Sequence, residues 1–256
     1  MELSDDLLRE YRHNGLITFS TIFDDREISA LKSELKRILE LDSPYHLKAE
    51  SGEFLGTTVM HKTSALYDRL VRDERLIKPA EAILGGPVYA HQYKVILKQP
   101  FGELSLPWHQ DFGPWFHHDG MPQPKALSFG IFLDEVTEFN GPIVYIPGSH
   151  HQGLIEYEIL DVPGTTPIPS LSNDTVASLV DSNGLVLPKG EPGSMTLFHC
   201  CTAHASGPNL SPYHRRMIYV SYNLVENAIT RPKRAEHFAA REFNPLQAQA
   251  TNMLLS

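Results

Sequence analysis

From residue 87 onward the chain breaks into short apolar runs, and this pattern restricts the fold more than any other feature. The runs are rich in β-branched and aromatic residues, and glycine, proline and asparagine separate them. They are PVYAHQYKVILK (87–98), KALSFGIFLDEV (125–136), GPIVYIPGS (141–149), SMTLFHCCTAH (194–204) and RRMIYVSYNLV (215–225). A series of short strands at this spacing predicts a β-sandwich or barrel.

The first 86 residues show helical periodicity instead. One helix is predicted from Ser4 to Asn14, with acid in its first turn, and residues 64–84 predict another after a polar loop at 42–57. Between them lies a helix whose apolar residues form a buried stripe, namely Ile28, Leu31, Leu35, Ile38 and Leu39. We expect these helices to pack against one flat face of the strand layer.

We predict a single domain over residues 1–256, because β-barrels of about 200–250 residues often form one domain. Its parts are a mainly helical flank at 1–86, a β core at 87–230 and a C-terminal tail at 231–256. Within the core, the stretch 162–185 interrupts the rhythm of strands. A loop of this length in a compact domain is usually functional or mobile, so we expect a lid there.

Charge and cysteine content restrict the partners. Lysine and arginine total 22 against 31 aspartates and glutamates, and basic residues cluster no further than pairs. Nucleic acid and anionic membranes are therefore disfavoured, and a small-molecule partner is favoured. The N-terminus lacks an apolar signal segment, and no run approaches the roughly 20 apolar residues of a membrane span. The adjacent Cys200 and Cys201 offer neither a disulfide framework nor a zinc knuckle, so we expect core fillers in a cytoplasmic protein of open oligomeric state.

The stretch WHQDFGPW (108–115) carries a metal-binding pattern. His109 and Asp111 lie two residues apart, so in an extended segment both side chains would point the same way and reach one ion. The same H-x-D spacing recurs at His117 and Asp119, but there it runs into a Gly-Met-Pro turn, which indicates solvated residues. The first pair is therefore the better candidate.

A third ligand is available downstream. His204 comes near the end of the predicted strand 194–204, and Arg215 follows eleven residues later at the start of the next strand. Two imidazoles and a carboxylate with open positions suit oxygen-activating non-haem Fe(II). A nearby guanidinium can hold the carboxylate of a keto-acid co-substrate by two parallel hydrogen bonds. Lys94 and Lys98 could assist such a carboxylate or form a surface strand edge.

Taken in order, these blocks resemble one family. WHQDFGPW, DGMP, ALS, NGP, PGSH, H-x-S-x-x-N-x-S-P-x-x-R and VEN are similar to the phytanoyl-CoA dioxygenase superfamily of Fe(II)/2-oxoglutarate oxygenases, from about Gly15 to Pro245. The resemblance implies an all-β core with flanking helices, a cupin-like double-stranded β-helix or jelly roll. It also implies a site that uses Fe(II), 2-oxoglutarate and O2. The implied site residues are His109, Asp111 and His204 as iron ligands, Arg215 on the distal carboxylate of 2-oxoglutarate, and Ser128 near the co-substrate or the substrate.

Within the superfamily, the sequence is most similar to the bacterial free L-leucine hydroxylases and the ectoine hydroxylases. That similarity implies a substrate pocket lined by Gln92, Trp115, Phe198 and Tyr219, although each aromatic residue could equally belong to the core. Ectoine hydroxylases tend to have phenylalanine at Tyr219, an acid at Gly113 and aspartate at His199, and these departures argue against ectoine. VTEFNGP (136–142) and HQYK (91–94) are closer to the leucine hydroxylases.

We therefore predict a hydroxylase that oxidises an unactivated C–H bond in a small free amino acid or amino-acid-like metabolite. Two alternatives stay open. One is a tailoring oxygenase that acts on a larger natural product, such as an alkaloid, a nucleoside or a peptide-derived compound. The other is a jelly-roll module that uses its metal structurally and has no catalytic activity. The intact H-x-D, His204 and Arg215 argue against the second.

Overall fold

The computed structural model describes residues 2–160 and 168–256. The helices are α1 (Asp5–Asn14), α2 (Asp25–Leu39), α3 (Ala65–Val71), α4 (Glu74–Leu84), α5 (Phe112–His117) and α6 (Asn173–Asn183). The strands are β1 (Leu16–Phe19), β2 (His46–Lys48), β3 (Phe54–Thr58), β4 (Val88–Lys98), β5 (Leu106–His109), β6 (Ala126–Phe132), β7 (Ile143–Tyr145), β8 (Glu158–Leu160), β9 (Ile168–Ser170), β10 (Met195–His199), β11 (His204–Ser206) and β12 (Arg215–Leu224). None of the helices in these described ranges is long and apolar enough to cross a membrane.

The strands form the predicted jelly roll. In the described part of the chain, the large sheet has the order β1-β10-β6-β12-β4-β3-β2, and a smaller sheet has the order β5-β11-β7. All the pairings in both sheets are antiparallel. Apart from β2, β3 and β4, which pair in chain order, neighbouring strands in both sheets are distant in sequence, so the two sheets are built together by long-range pairing.

The two faces of the large sheet serve different purposes. On one face, Phe129 and Val220 belong to a core that includes Ile77 of α4, as the predicted packing of helices on a flat layer requires. Because successive residues of a strand point to opposite faces, the preceding residues Ser128 and Tyr219 point the other way. They line a cavity of about 1030 Å³ that also reaches the smaller sheet. The helical flank therefore supports one face and leaves the other for a ligand.

The prediction of a polar loop at 42–57 is wrong, because part of this stretch forms the hairpin β2–β3. β3 extends the sheet beyond β4, and Thr57 and Thr58 pair with Val95 and Lys94. Both threonines are buried, and their β-branched side chains suit a strand in spite of their polarity. The polar composition of residues 42–57 therefore led to the prediction of a loop instead of this hairpin.

The helix predicted at 64–84 is instead two helices. The carboxylate of Asp73 accepts a hydrogen bond from the backbone N–H of Arg75 at 2.8 Å, so Asp73 caps α4. It also pairs with the guanidinium of Arg75, which in turn binds Glu27 of α2. A buried ion network therefore lies at the break between α3 and α4.

The predicted lid at 162–185 is partly outside the described residues, since 161–167 are not described. The rest is more regular than a loop, because it contains β9 and α6. Leu171 and Leu179 pack with Ile146 and Ala203, which lie next to the smaller sheet. The described part of this stretch is therefore anchored to the scaffold, and the lid itself stays a prediction.

Candidate active site

His109 and Asp111 lie where β5 passes into α5. The strand ends at His109, and Asp111 already has helical backbone angles of φ −65° and ψ −33°. The extended geometry expected for this pair is therefore wrong. The backbone N–H of Phe112 donates to the carbonyl of Cys200 at 3.0 Å, which ties the start of α5 to the chain after β10. A strand followed by one helical turn brings the carboxylate round to the imidazole.

His204 lies beside His109 on the neighbouring strand. It begins β11, so the predicted strand 194–204 is in fact two strands, β10 and β11, separated by a turn. His204 and His109 are cross-strand partners with ring centroids 4.2 Å apart. One donor atom each from His109, Asp111 and His204 lies within 4.8 Å of the others. The structure thus brings the three sequence-predicted metal ligands together.

The hydrogen bonds of the two imidazoles leave them ready to bind a metal ion. Nδ1 of His109 donates to the carbonyl of Pro107 at 2.7 Å, and Nδ1 of His204 donates to that of Thr202 at 2.9 Å. Within the described ranges, neither Nε2 atom has a hydrogen-bond partner. In metal-binding histidines, a hydrogen bond from the other ring nitrogen fixes the tautomer and the orientation of the ring. The donor set therefore fits a mononuclear Fe(II) centre.

The charge states of the three residues also suit a cation. Burial lowers the pKa of His109 to about 3 and lowers that of His204, so both imidazoles stay neutral near pH 7. Burial acts to raise the pKa of Asp111, but the neighbouring His204 and Lys94 outweigh it and leave the pKa below its usual value. Neutral imidazoles and an ionised carboxylate are the forms that bind metal.

Ser128 supports the carboxylate. Its hydroxyl donates to Oδ2 of Asp111 at 3.4 Å and shares a hydrogen bond of 2.8 Å with the hydroxyl of Ser221. Ser128 and Ser221 face each other on β6 and β12, which places the pair under the cavity. The structure therefore connects this predicted co-substrate residue to a predicted metal ligand.

Arg215 is a buried cation at one end of the same strand layer. Its guanidinium donates to the hydroxyl of Tyr219 at 3.2 Å and to the carbonyl of Gly141 at 2.6 Å, and its Nε has no partner. The side chain is 1% exposed, whereas Tyr219 lines the cavity. Lys98, its strand partner, is also buried and donates to the carbonyl of Leu104 at 2.7 Å.

Arg215 and Lys98 have no carboxylate partner in residues 2–160 and 168–256. Burial and the adjacent Arg215 lower the pKa of Lys98 to about 6, so Lys98 is mostly neutral near pH 7 and Arg215 is the buried charge. A buried charge without a counter-ion is costly, so the site is suited to an incoming anion. The distal carboxylate of 2-oxoglutarate fits that requirement. The surface strand edge suggested for Lys98 is wrong, because β4 lies inside the sheet.

The predicted substrate residues all line the large cavity. They are Gln92, Trp115, Phe198 and Tyr219, and His109, Asp111 and His204 line the same space. Nε2 of Gln92 donates to the carbonyl of Phe238 at 2.5 Å, which leaves its amide oxygen as the free acceptor. Trp115 is 1% exposed and packs edge-on against His91 at 4.8 Å. Each of these aromatic residues therefore belongs both to the buried core and to the wall of the cavity.

The lack of a side chain at Gly113 also has a structural reason. A Cβ atom at this position would lie 2.5 Å from Cε1 of Tyr157, so a side chain here requires the tyrosine to move. An acidic side chain at this position would therefore require the ring of Tyr157 to shift.

Sequence reasoning missed one pair of residues at the cavity. The H-x-D repeat at His117 was expected to be solvated, but this is wrong for Asp119, which is 0% exposed. Its carboxylate accepts from Nε of Arg234 at 2.9 Å, and Arg234 lines the cavity together with Lys94. The two partners are 115 residues apart, so no local pattern indicates their contact.

The fold and site together define a class of protein. A jelly roll in which two imidazoles and one carboxylate converge on a cavity is the architecture of mononuclear non-haem iron oxygenases. The sequence matches the family described as phytanoyl-CoA dioxygenase (PhyH) over residues 11–217. The chain therefore belongs to the phytanoyl-CoA dioxygenase family, as its ordered motifs predicted.

Similar proteins agree with this assignment. The chain is 31% identical to an ectoine dioxygenase of Streptomyces avermitilis, over 94% of this chain and 87% of that protein. It is 32% identical to an L-proline trans-4-hydroxylase of Streptomyces griseoviridis, over 92% of each. Crystal structures of EctD from S. alaskensis, with bound Fe or with 2-oxoglutarate and 5-hydroxyectoine, superimpose with a TM-score of 0.85 at 30% identity. They cover 97% of this chain and 88% of theirs.

Proposed function

We propose that this protein is an Fe(II)- and 2-oxoglutarate-dependent dioxygenase that hydroxylates an unactivated C–H bond of a small free amino acid or amino-acid-like metabolite. The observation that carries the proposal is the convergence of His109, Asp111 and His204 within 4.8 Å on a single cavity. The relatives named for ectoine and L-proline support a small, amino-acid-like substrate.

His109, Asp111 and His204 would hold the iron, which supplies oxygen activation and the oxidation of a C–H bond when 2-oxoglutarate and O2 are present. The carbonyls of Pro107 and Thr202 keep the imidazoles in the binding tautomer. Ser128 holds one oxygen of Asp111 and leaves the other for the ion. The presence of Asp111 disfavours halogenation, because a halide would require its position.

Arg215 would bind the distal carboxylate of 2-oxoglutarate. Its present acceptors, the hydroxyl of Tyr219 and the carbonyl of Gly141, are neutral and leave the guanidinium charge uncompensated. Lys94 would assist at the other end of the co-substrate, since it lines the cavity and its charge acts on all three metal ligands. The two cations would thus orient a dianionic keto acid across the metal.

Arg234 would bind the carboxylate of the substrate. Asp119 holds its Nε and one terminal nitrogen, so the guanidinium is fixed while the remaining nitrogen stays available. The amide oxygen of Gln92 would accept a hydrogen bond from the substrate's amino group. Trp115, Phe198 and Tyr219 would form the wall that excludes water from the reacting carbon.

The test is succinate release across a panel of free amino acids and simple derivatives, with product mass recorded for the gain of one oxygen atom. The Asp111→Ala variant should lose substrate-dependent succinate formation. The His117→Ala variant is the matched control, because it removes the exposed histidine of the other H-x-D motif and should keep activity. Full activity in Asp111→Ala would reject the proposed centre.

A second candidate is a tailoring oxygenase for a larger scaffold. The cavity volume of about 1030 Å³ favours it, because this lies at the upper end of pockets that hold drug-sized ligands. Adding alkaloids and nucleosides to the same panel separates the two. Turnover confined to these scaffolds would replace the amino-acid assignment.

A module without catalysis is the remaining alternative. The visible charge-transfer band of an anaerobic complex with Fe(II) and 2-oxoglutarate tests it directly, because a purely structural metal site would not bind the keto acid. A single domain over 1–256 and a cytoplasmic location stay predictions, and the oligomeric state stays open.

A further inference from the structure

A second cluster of metal-ligating side chains lies in the chain after β10. His199, Cys200 and Cys201 each place one donor atom within 4.8 Å of the others. Both cysteines are fully buried and His199 is half-buried. Nδ1 of His199 accepts a hydrogen bond from the backbone N–H of Cys201 at 3.0 Å, a bond that an ion bound to this ring would replace. We propose that these three residues form a second metal site, distinct from the iron triad, for a thiophilic divalent ion of the zinc class. This goes beyond the oxygenase activity and does not depend on it.

The donor chemistry selects the kind of ion. Thiolates prefer zinc-like or softer ions, whereas the triad has no sulfur. Two thiolates also balance the charge of a divalent ion, so the occupied site would bury no net charge. Tetrahedral zinc with Zn–S bonds of about 2.3 Å places its ligand atoms closer together than they stand here, so binding would contract the cluster by up to about 1 Å.

A row of imidazoles connects the cluster to the surface. The ring of His199 lies 5.3 Å from that of His150, which lies 4.0 Å from that of His151. His151 is exposed, and Nδ1 of His150 is buried and unpartnered. These rings offer successive transient ligands, so an ion has a path to the buried thiols.

The cluster lies directly behind the iron triad. The carbonyl of Cys200 accepts from the backbone N–H of Phe112 at 3.0 Å, and that of Cys201 accepts from Nε2 of Gln110 at 2.7 Å. Both donors belong to the segment that carries His109 and Asp111. An ion bound to the two thiols would therefore stiffen the backbone to which this segment is attached.

The experiment is a titration of the full-length, metal-free, reduced protein with Cd²⁺ alone. The ultraviolet thiolate-to-cadmium charge-transfer band reports only these residues, because the chain has two cysteines and both lie in the cluster. We expect the band to saturate at one equivalent and to disappear when Zn²⁺ displaces the cadmium. No band at stoichiometric cadmium would overturn the proposal.

Variants locate the ligands. Cys201→Ser and Cys200→Ser should each weaken the band and the affinity, and His199→Asn should lower the affinity while keeping two thiolates. His109→Ala, at the iron triad, should keep the full band, with circular dichroism as the check of folding. An unchanged band and affinity in Cys201→Ser, or loss of the band in a folded His109→Ala, would reject the site as drawn.

Discussion

At the scale of single residues, Arg215 and Arg216 form a natural comparison. Arg215 is buried with neutral acceptors only, whereas the guanidinium of Arg216 binds both oxygens of Asp134 at 2.7 Å. The two side chains leave opposite faces of β12, one toward the cavity layer and one toward the helical flank. These adjacent arginines therefore have different electrostatic surroundings, and only the charge of Arg215 is available to bind a ligand.

We predict that Arg215→Ala will raise the dissociation constant of 2-oxoglutarate by at least about tenfold, because a charge-assisted hydrogen bond is lost. Arg215→Lys should recover only part of the affinity, since an ammonium cannot form two parallel bonds to a carboxylate. Absorption of the anaerobic Fe(II) complex measures the affinity. Arg216→Ala is the matched control and should lower stability without this effect; equal losses in both variants would contradict the role of Arg215.

A second residue-scale prediction concerns Asp119. Asp119→Asn should lower the free energy of unfolding by about 3 kcal/mol, because it leaves the guanidinium of Arg234 without its buried counter-ion. It should also raise KM for the substrate more than it lowers kcat, since Arg234 is no longer fixed. Urea unfolding and steady-state kinetics measure the two effects. Glu138→Gln breaks an exposed pair with Lys189 and should change neither quantity.

At the scale of elements, local patterns predicted what local forces determine. β4 and β12 were evident because each carries a long run of strand-forming residues, and α2 because its apolar stripe is complete. The hairpin β2–β3 was missed because its strands are short and polar, and pairing with β4 creates it. The strand structure of that segment depends on tertiary contacts, and such contacts cannot be read from a single sequence.

The site divides along the same line. His109, Asp111 and His204 were found because ordered motifs surround them, and the fold then makes His204 the cross-strand partner of His109. The helical geometry of Asp111 was not predicted, since it precedes α5, whose first residue Phe112 is tied to Cys200 by a contact that the local sequence does not indicate. The pair of Asp119 with Arg234 was not predicted either, because it joins segments that no motif connects.

Helix α6 gives the prediction for an element. Leu179 is 7% exposed and packs beside Leu171, while Ile168 lines the cavity. We expect protease cleavage within 162–185 to slow when substrate and 2-oxoglutarate bind, because ligands in the cavity would contact the part of this stretch that lines it. Leu179→Ala, which loosens the helix, should speed cleavage in the free protein.

Limited proteolysis followed by mass analysis measures these rates. Cleavage at the exposed Leu41 and Asp42, which follow α2 and do not line the cavity, serves as the internal control and should not respond to ligands. Equal rates at 162–185 with and without ligands would count against a lid.

At the scale of the whole molecule, buried neutral histidines connect stability to pH. His91 is 2% exposed, and neither ring nitrogen has a hydrogen-bond partner among residues 2–160 and 168–256. Burial and the charge of Arg234 lower its pKa to about 3, while Asp111 acts weakly in the opposite direction. In the unfolded chain the same imidazole titrates near 6.5. Between these values the unfolded state binds a proton that the folded state does not, so folding is weakened as pH falls below 6.5.

This sign predicts that the metal-free protein loses stability between pH 6.5 and 5.5, a window above the titration of ordinary carboxylates. Each such histidine contributes a slope of about 1.4 kcal/mol per pH unit. His91→Phe keeps a ring against Trp115 and removes the titrating group, so its decline over this window should be smaller by about 1 kcal/mol. Urea unfolding in the presence of a chelator measures both slopes, and His117→Phe, at an exposed position, should retain the original slope. Equal slopes in wild type and His91→Phe would show that His91 is charged in the folded protein. The buried, charged ring would then need a counter-charge, and Asp111, the acid that acts on it, would have to supply that charge.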